Sequence, residues 1–197
     1  IDGGIQVAHP NSLTIYGQSE GNGELTATAP AESNIYHAAI GGSTNVQIWE
    51  VNYCGSVTIN GGDVTATGGD ASSGIGGGPV SGGKIVINGG TVTATGGNNA
   101  AGIGGGMQGN GGSVTINGGE VTATGGNQAA GIGSGTMGGR IQIQINGGTV
   151  NATGGSQGAG IGDGMECSND GSITITGGTV TATGGYQGTG IGGGAKT

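Results

Sequence analysis

Side chains able to do acid, base, nucleophilic or metal chemistry are few in this chain of 197 residues. It has three Lys plus Arg, eleven Asp plus Glu, two His and two Cys. Proton abstraction from an acidic sugar needs a cationic base beside bound substrate, often with calcium held by clustered carboxylates. Lys84 and Arg140, the mid-chain cations, each precede a short apolar piece, two repeats apart, with no carboxylate at the matching place. Hydrolysis of a glycoside needs two carboxylates about 5 to 9.5 Å apart. Asp63 and Glu120 share one place in the repeat but stand two repeats apart with Thr91 between them, roughly 10 Å at strand spacing. Cys54 and Cys167 fall about four repeats apart, roughly 19 Å, which is too far for a disulfide. His9 and His37 have no Cys beside them and no metal-ligand spacing. "GIGGG" lacks the Lys, the Ser or Thr and the following helix of a phosphate loop, and "GNGE" and "SNDG" lack the tandem Asp-rich pattern of calcium-binding solenoids. These residues predict no enzyme, no cofactor and no metal site.

What remains is repetition. Gly supplies 56 residues, Phe is absent and charged residues make up 7%, against roughly 7% Gly and about a quarter charged in ordinary domains. Three prolines exclude collagen, and regularly placed Val and Ile exclude a disordered linker. A formal charge of -8 offers no cationic footprint for nucleic acid or anionic membrane. No apolar run is long enough to span a bilayer as a helix. The chain begins at Ile1 without Met, so a signal peptide or anchor is expected to lie outside it.

The valine of V-T-A-T-G-G recurs at Val64, Val92, Val121, Val150 and Val180, and Leu25 of "ELTATAP" opens a degenerate earlier copy. The isoleucine of "GIG" keeps the same beat at Ile75, Ile103, Ile132, Ile161 and Ile191, with Ile40 in the early copy. Periods of 28 to 30 residues signal a solenoid. Within one repeat, "SVTINGG", "DVTATGG" and "SSGIGGG" give three apolar pieces. Alternation at period two puts Val57, Ile59, Val64 and Ala66 on one side and Thr58, Thr65 and Thr67 on the other. The pieces are therefore strands, since Gly at this density costs a helix about 1 kcal/mol per site. One coil buries too little apolar surface to offset its chain entropy, so coils must stack, each strand bonding to the coils beside it. The expected fold is all-β: a right-handed parallel β-helix of about six coils, three short strands per coil and no long helix.

Gly-Gly after the strands supplies positive φ for tight corners. Asn60, Asn88, Asn117 and Asn146 precede the first Gly-Gly, where Asn tolerates the left-handed region and its amide can ladder to the next copy; Thr176 takes the place in the last coil. Residues 56–197 read as regular repeats. Residues 1–55 read as an irregular coil and cap, lengthened by "GQSEGNGE" and "GGSTNVQIWEVNYCGS". The last coil carries no cap in this sequence and is expected to meet further protein or another copy, end to end.

The outward pairs of the second strand are Thr26 and Thr28, Thr65 and Thr67, Thr93 and Thr95, Thr122 and Thr124, Asn151 and Thr153, and Thr181 and Thr183. The leading outward place of the first strand drifts further, through Thr14, Thr58, Val86, Thr115, Gln144 and Thr174. A flat grid of hydroxyls and methyls, about 6.6 Å by about 4.8 Å, follows from strand geometry. It resembles the Thr-x-Thr arrays of β-helical insect antifreeze proteins, which makes ice one expected partner. Polysaccharide is the other, and because sugar sites commonly add aromatic platforms, Tyr16, Tyr36, Trp49 and Tyr53 form a second candidate site.

The run "GGSVTINGGEVTATGGNQAAGIGSG", Gly111 to Gly135, resembles Gly-rich β-helix repeats in large secreted or wall-anchored proteins of Gram-positive anaerobes, which frequently also carry internalin-type repeats. The resemblance spans about Ser56 to Gly194, and "SLTIYGQSEGNGELTATA" is similar to the leading coils of carbohydrate-binding β-helix domains of such bacteria. It implies a non-enzymatic extracellular surface module, a rigid adhesin or stalk contacting carbohydrate or a host surface. Ice binding is the alternative.

Overall fold

In the computed structural model, which describes residues 1–17, 23–29, 35–45, 50–110, 112–168 and 171–196, the period-two pieces become strands and each repeat becomes one coil. The first pieces form a parallel sheet of Ser12–Ile15, Ser56–Ile59, Lys84–Ile87, Ser113–Ile116, Gln142–Ile145 and Ser172–Ile175. The second pieces form a parallel sheet of Glu24–Thr28, Asp63–Thr67, Thr91–Thr95, Glu120–Thr124, Thr149–Thr153 and Thr179–Thr183. A third sheet stacks the two-residue strands Ile5–Gln6, Ile40–Gly41, Ile75–Gly76, Ile103–Gly104, Ile132–Gly133, Ile161–Gly162 and Ile191–Gly192. No described residue is helical. The chain is a three-sheet parallel β-solenoid.

Register is set by burial. A slip of one residue would turn every Val and Ile outward, so like pairs with like: Val92 with Val64 and Val121, Ala94 with Ala66 and Ala123, Ile103 with Ile75 and Ile132. Between the sheets, Val57, Ile59, Val64, Ala66, Ile75 and their successors form one continuous buried core.

The early part joins the same lattice. Ser12–Ile15 pairs with Ser56–Ile59, and Glu24–Thr28 with Asp63–Thr67, both in full register. The degenerate early copy thus builds a coil in the same register as the later ones. Around it, Ile35–His37, Ser43–Asn45 and Glu50–Asn52 form a small antiparallel sheet. Tyr16 and Tyr53 do not pack over the end of the column, being 73% and 58% exposed, while Tyr36 is half-buried. Trp49 and parts of both long insertions lie outside the described residues.

The first corner corrects one expectation. Positive φ falls on the second glycine, with Gly62 at 86°, Gly90 at 89°, Gly119 at 88°, Gly148 at 86° and Gly178 at 89°, and not on the asparagine before it. Asparagine is thereby left to extend its amide along the axis. Asn88 Nδ2 donates to Asn60 Oδ1 at 2.7 Å, Asn117 Nδ2 to Asn88 Oδ1 at 2.8 Å and Asn146 Nδ2 to Asn117 Oδ1 at 2.8 Å. Thr176 Oγ1 ends the ladder on Asn146 Oδ1 at 2.9 Å.

Elsewhere glycine is demanded by close approach. Gly104 has φ of 135°, and a Cβ there would overlap the carbonyl oxygen of Gly133 on the next coil. At the second corner, the Ala100 and Ala129 places are filled by Ser72 in an earlier coil, whose buried Oγ has no partner among the described residues.

Three stability outcomes follow. Gly104→Ala is expected to destabilise by more than about 4 kcal/mol, because both its φ and its space forbid a side chain. Asn117→Ala, which removes two exposed ladder bonds, is expected to cost about 1 to 2 kcal/mol. Ser72→Ala, which deletes an unpaired buried hydroxyl, is expected to stabilise by about 1 kcal/mol. Urea unfolding of the three variants checks this order.

Candidate functional site: the threonine sheet

On the second sheet, Val and Ala point inward at alternate places and leave three outward columns. The middle column is Thr26, Thr65, Thr93, Thr122, Asn151 and Thr181, and the trailing column is Thr28, Thr67, Thr95, Thr124, Thr153 and Thr183. Thr95 and Asn151 are half-buried and the others exposed. Among the described residues, Thr26 alone of these threonines bonds its hydroxyl within the protein, to Glu24 Oε1 at 3.3 Å. The sheet therefore brings all eleven expected threonines onto one surface, most of their hydroxyls turned to solvent.

A third outward column leads the sheet: Glu24, Asp63, Thr91, Glu120, Thr149 and Thr179. Asp63 and Glu120 flank Thr91, as their spacing requires. Glu24 pairs directly with Asp63 on the adjacent rung, a juxtaposition that the alignment of Leu25 with Val64 implies but that the comparison of Asp63 with Glu120 alone passed over.

Amide ladders bound the surface on both sides. The asparagine ladder lies along the first corner. Along the second corner, Gln128 Nε2 donates to Gln157 Oε1 at 3.0 Å and Gln157 Nε2 to Gln187 Oε1 at 2.9 Å, with Ser156 Oγ donating to Asn127 Oδ1 at 2.6 Å. Sequence reasoning passed over this second ladder, although Gln128, Gln157 and Gln187 recur at the period that exposed the first.

The aromatic candidates are not gathered. Tyr16 follows the strand Ser12–Ile15, whereas Tyr53 precedes Ser56–Ile59, so the two lie at opposite ends of the first sheet's strands. Tyr36 belongs to the antiparallel sheet. Lys84 starts its strand beside Ser56 and Ser113 rather than a carboxylate.

The cysteines are buried and unbridged. Burial pushes the Cys54 thiol up to about 12. Burial also raises Cys167, helped by nearby Asp163 and opposed by the hydrogen bond with Ser134; Cys167 Sγ donates to Gly135 O at 3.0 Å. Burial thus disfavours, at both sites, the thiolate that nucleophilic or metal chemistry requires. Among the described residues no three His, Cys, Asp or Glu side chains come together. A cavity of about 210 Å³ opens between the first and third sheets near the last coils, lined by Ile141, Ile143, Asp163 and Ile173 among others. It lies away from the threonine surface.

Residues 57–79, 85–107, 114–136, 143–165 and 173–195 match the β-helix repeat family, and together these segments cover more than half of the chain. The chain belongs to the β-helix repeat family. Comparison with curated proteins and with solved structures found no match. Each matched β-helix repeat runs from the first sheet through the second and third and stops within the third corner. The unmatched residues between repeats are thus the remainder of the third corner, where chain length varies from coil to coil, and the first residue of the next first-sheet strand. The coil built from Ser12–Ile15, Glu24–Thr28 and Ile40–Gly41 lies outside the matched segments yet pairs with them in register.

Burial of Cys54 fixes a pH response. Its folded pKa lies above its unfolded value, so the stability it contributes is fully present below about pH 8.5 and is lost as pH rises toward about 12. The wild-type chain is expected to lose stability across that window more steeply than Cys54→Ala, as measured by denaturant midpoints from pH 8 upward.

Proposed function

We propose that this β-helix is a non-enzymatic, extracellular contact module, a rigid adhesin or stalk that lays its threonine sheet against carbohydrate on an extended surface. One observation carries this reading: eleven of the twelve places in the two threonine columns hold the same side chain, on a sheet whose register fixes every hydroxyl. A periodic, uncharged array of this kind loses little side-chain entropy on contact, because Thr is stiff at χ1. It suits a partner that is itself flat and repetitive. Sugar hydroxyls can exchange hydrogen bonds with the threonine hydroxyls, while the methyls cover the apolar faces of sugar rings. Being uncharged in its middle and trailing columns, the surface would bind with little dependence on salt.

Ice is the second reading, favoured by a specific feature. Neither threonine column contains an aromatic or a charged residue, and hydroxyl and methyl repeat evenly in two directions.

One pair of measurements separates the two. Retention of the purified chain on an insoluble neutral polysaccharide is expected to survive high salt. It should disappear when Thr93→Tyr and Thr122→Tyr place rings in the centre of the grid, while ice grown with the wild-type chain stays as round discs. Faceted ice that reverts to discs in the double variant would transfer the surface to ice. Undiminished retention by that variant would remove the threonine sheet from the contact.

A further inference from the structure

Among the described residues Tyr186 is the most exposed of the large apolar side chains, at 93%, and its place in the coil is unusual. In the strand register it succeeds Asp70, Asn98, Asn127 and Ser156 at the second corner, immediately beside the trailing threonine column. All four of those residues are also exposed, although Asn98, Asn127 and Ser156 each have a described coil on both sides. The corner therefore faces outward along the row, and the last coil adds to the exposure of Tyr186 as it does to that of Ile175 at 40% and Ile191 at 49%. In this row a ring replaces small polar groups where burial cannot be its purpose.

Its neighbours are positioned groups. Gln187, the next residue, is held by Gln157 Nε2 at 2.9 Å, and Ser156, one rung below the ring, is tied to Asn127 Oδ1 at 2.6 Å. The backbone fixes them too, since Gln187 N donates to Ser156 O at 2.9 Å and Gln157 N to Asn127 O at 3.2 Å. An aromatic face followed by hydroxyl and amide groups, one per rung at about 4.8 Å, is a linear sequence of contacts. That step is close to the advance of one sugar unit in an extended 1,4-linked chain of pyranoses. Such sugars offer an apolar ring face for stacking and equatorial hydroxyls for amides. Net charge of -8 and Asp70 in the same row disfavour polyanionic glycans.

We infer that the second corner is an oligosaccharide track for a neutral 1,4-linked pyranose chain lying along the solenoid axis. Tyr186 stacks on one sugar ring, and Ser156, Asn127 and Gln187 bond the hydroxyls of that ring and its neighbours. This deepens, and rests on, the carbohydrate reading of the adjoining threonine sheet, and it names the ligand class and a specificity-determining residue.

The test is calorimetric titration of the intact chain with cellobiose and cellohexaose. The hexaose is expected to bind at least about ten-fold more tightly than the dimer, because it spans more rungs. Tyr186→Ala should weaken the hexaose about five- to ten-fold, the scale of one lost stacking contact, while Tyr186→Trp retains it and melting temperatures stay unchanged. Absence of hexaose binding, or full affinity in Tyr186→Ala, overturns the track. The Thr93→Tyr, Thr122→Tyr variant separates the two surfaces. If it alone abolishes hexaose binding, the sheet reading stands and the corner track fails. If it leaves both hexaose binding and retention on insoluble glycan intact while Tyr186→Ala abolishes them, the track stands and the sheet reading fails.

Discussion

The distance between successive coils governs this molecule. Parallel strands must approach to about 4.8 Å to exchange backbone hydrogen bonds, and at the third sheet the backbone itself fills the space between rungs. Gly76, Gly104, Gly133 and Gly162 stand one above another with φ between 132° and 142°, each facing the carbonyl oxygen of the glycine in the next coil. Any side chain there would pry the coils apart and break the ladders of the other two sheets with them. The large glycine content follows from this approach as much as from turning corners.

Once the rung distance is fixed, equivalent residues stack and every place becomes a column. Among the described residues, inward columns of Val, Ala and Ile give a core without a large aromatic residue. Columns at the first and second corners become amide ladders, because an Asn or Gln side chain reaches its own copy on the next rung. Outward columns become arrays, and the threonine surface is such an array with an amide ladder on each side. The third corner keeps this stacking only in part, through bridges from Ser81 to Asn110, Asn110 to Gly139 and Gly139 to Ser168. Its length varies, and the buried Cys54, Ile141 and Cys167 lie in or beside it.

Much of this was legible in the residues. Val64, Val92, Val121, Val150 and Val180 announced the coil, and alternation around them announced which side faces the core. The asparagine before each Gly-Gly announced a ladder. Other features were hidden for physical reasons. That the left-handed turn belongs to Gly62 and its successors rather than to Asn60 depends on a carbonyl from the neighbouring coil. That Glu24 meets Asp63 depends on the degenerate first copy taking the same register as the later ones. Tyr16 and Tyr53 were expected to share one sugar site with Tyr36 and Trp49; the strand positions instead place them at opposite ends of the first sheet, turned to solvent.

The sequence by itself determined the period, the inward and outward sides of each strand, and the identity of the threonine columns, because all three are written in local alternation and in repeats that copy one another. Tertiary structure decided what those columns lie beside. Whether a hydroxyl is free, which amides flank it, and whether a tyrosine projects from a corner or closes a core all depend on contacts between residues about one coil apart. Those contacts exist only after the coils have stacked.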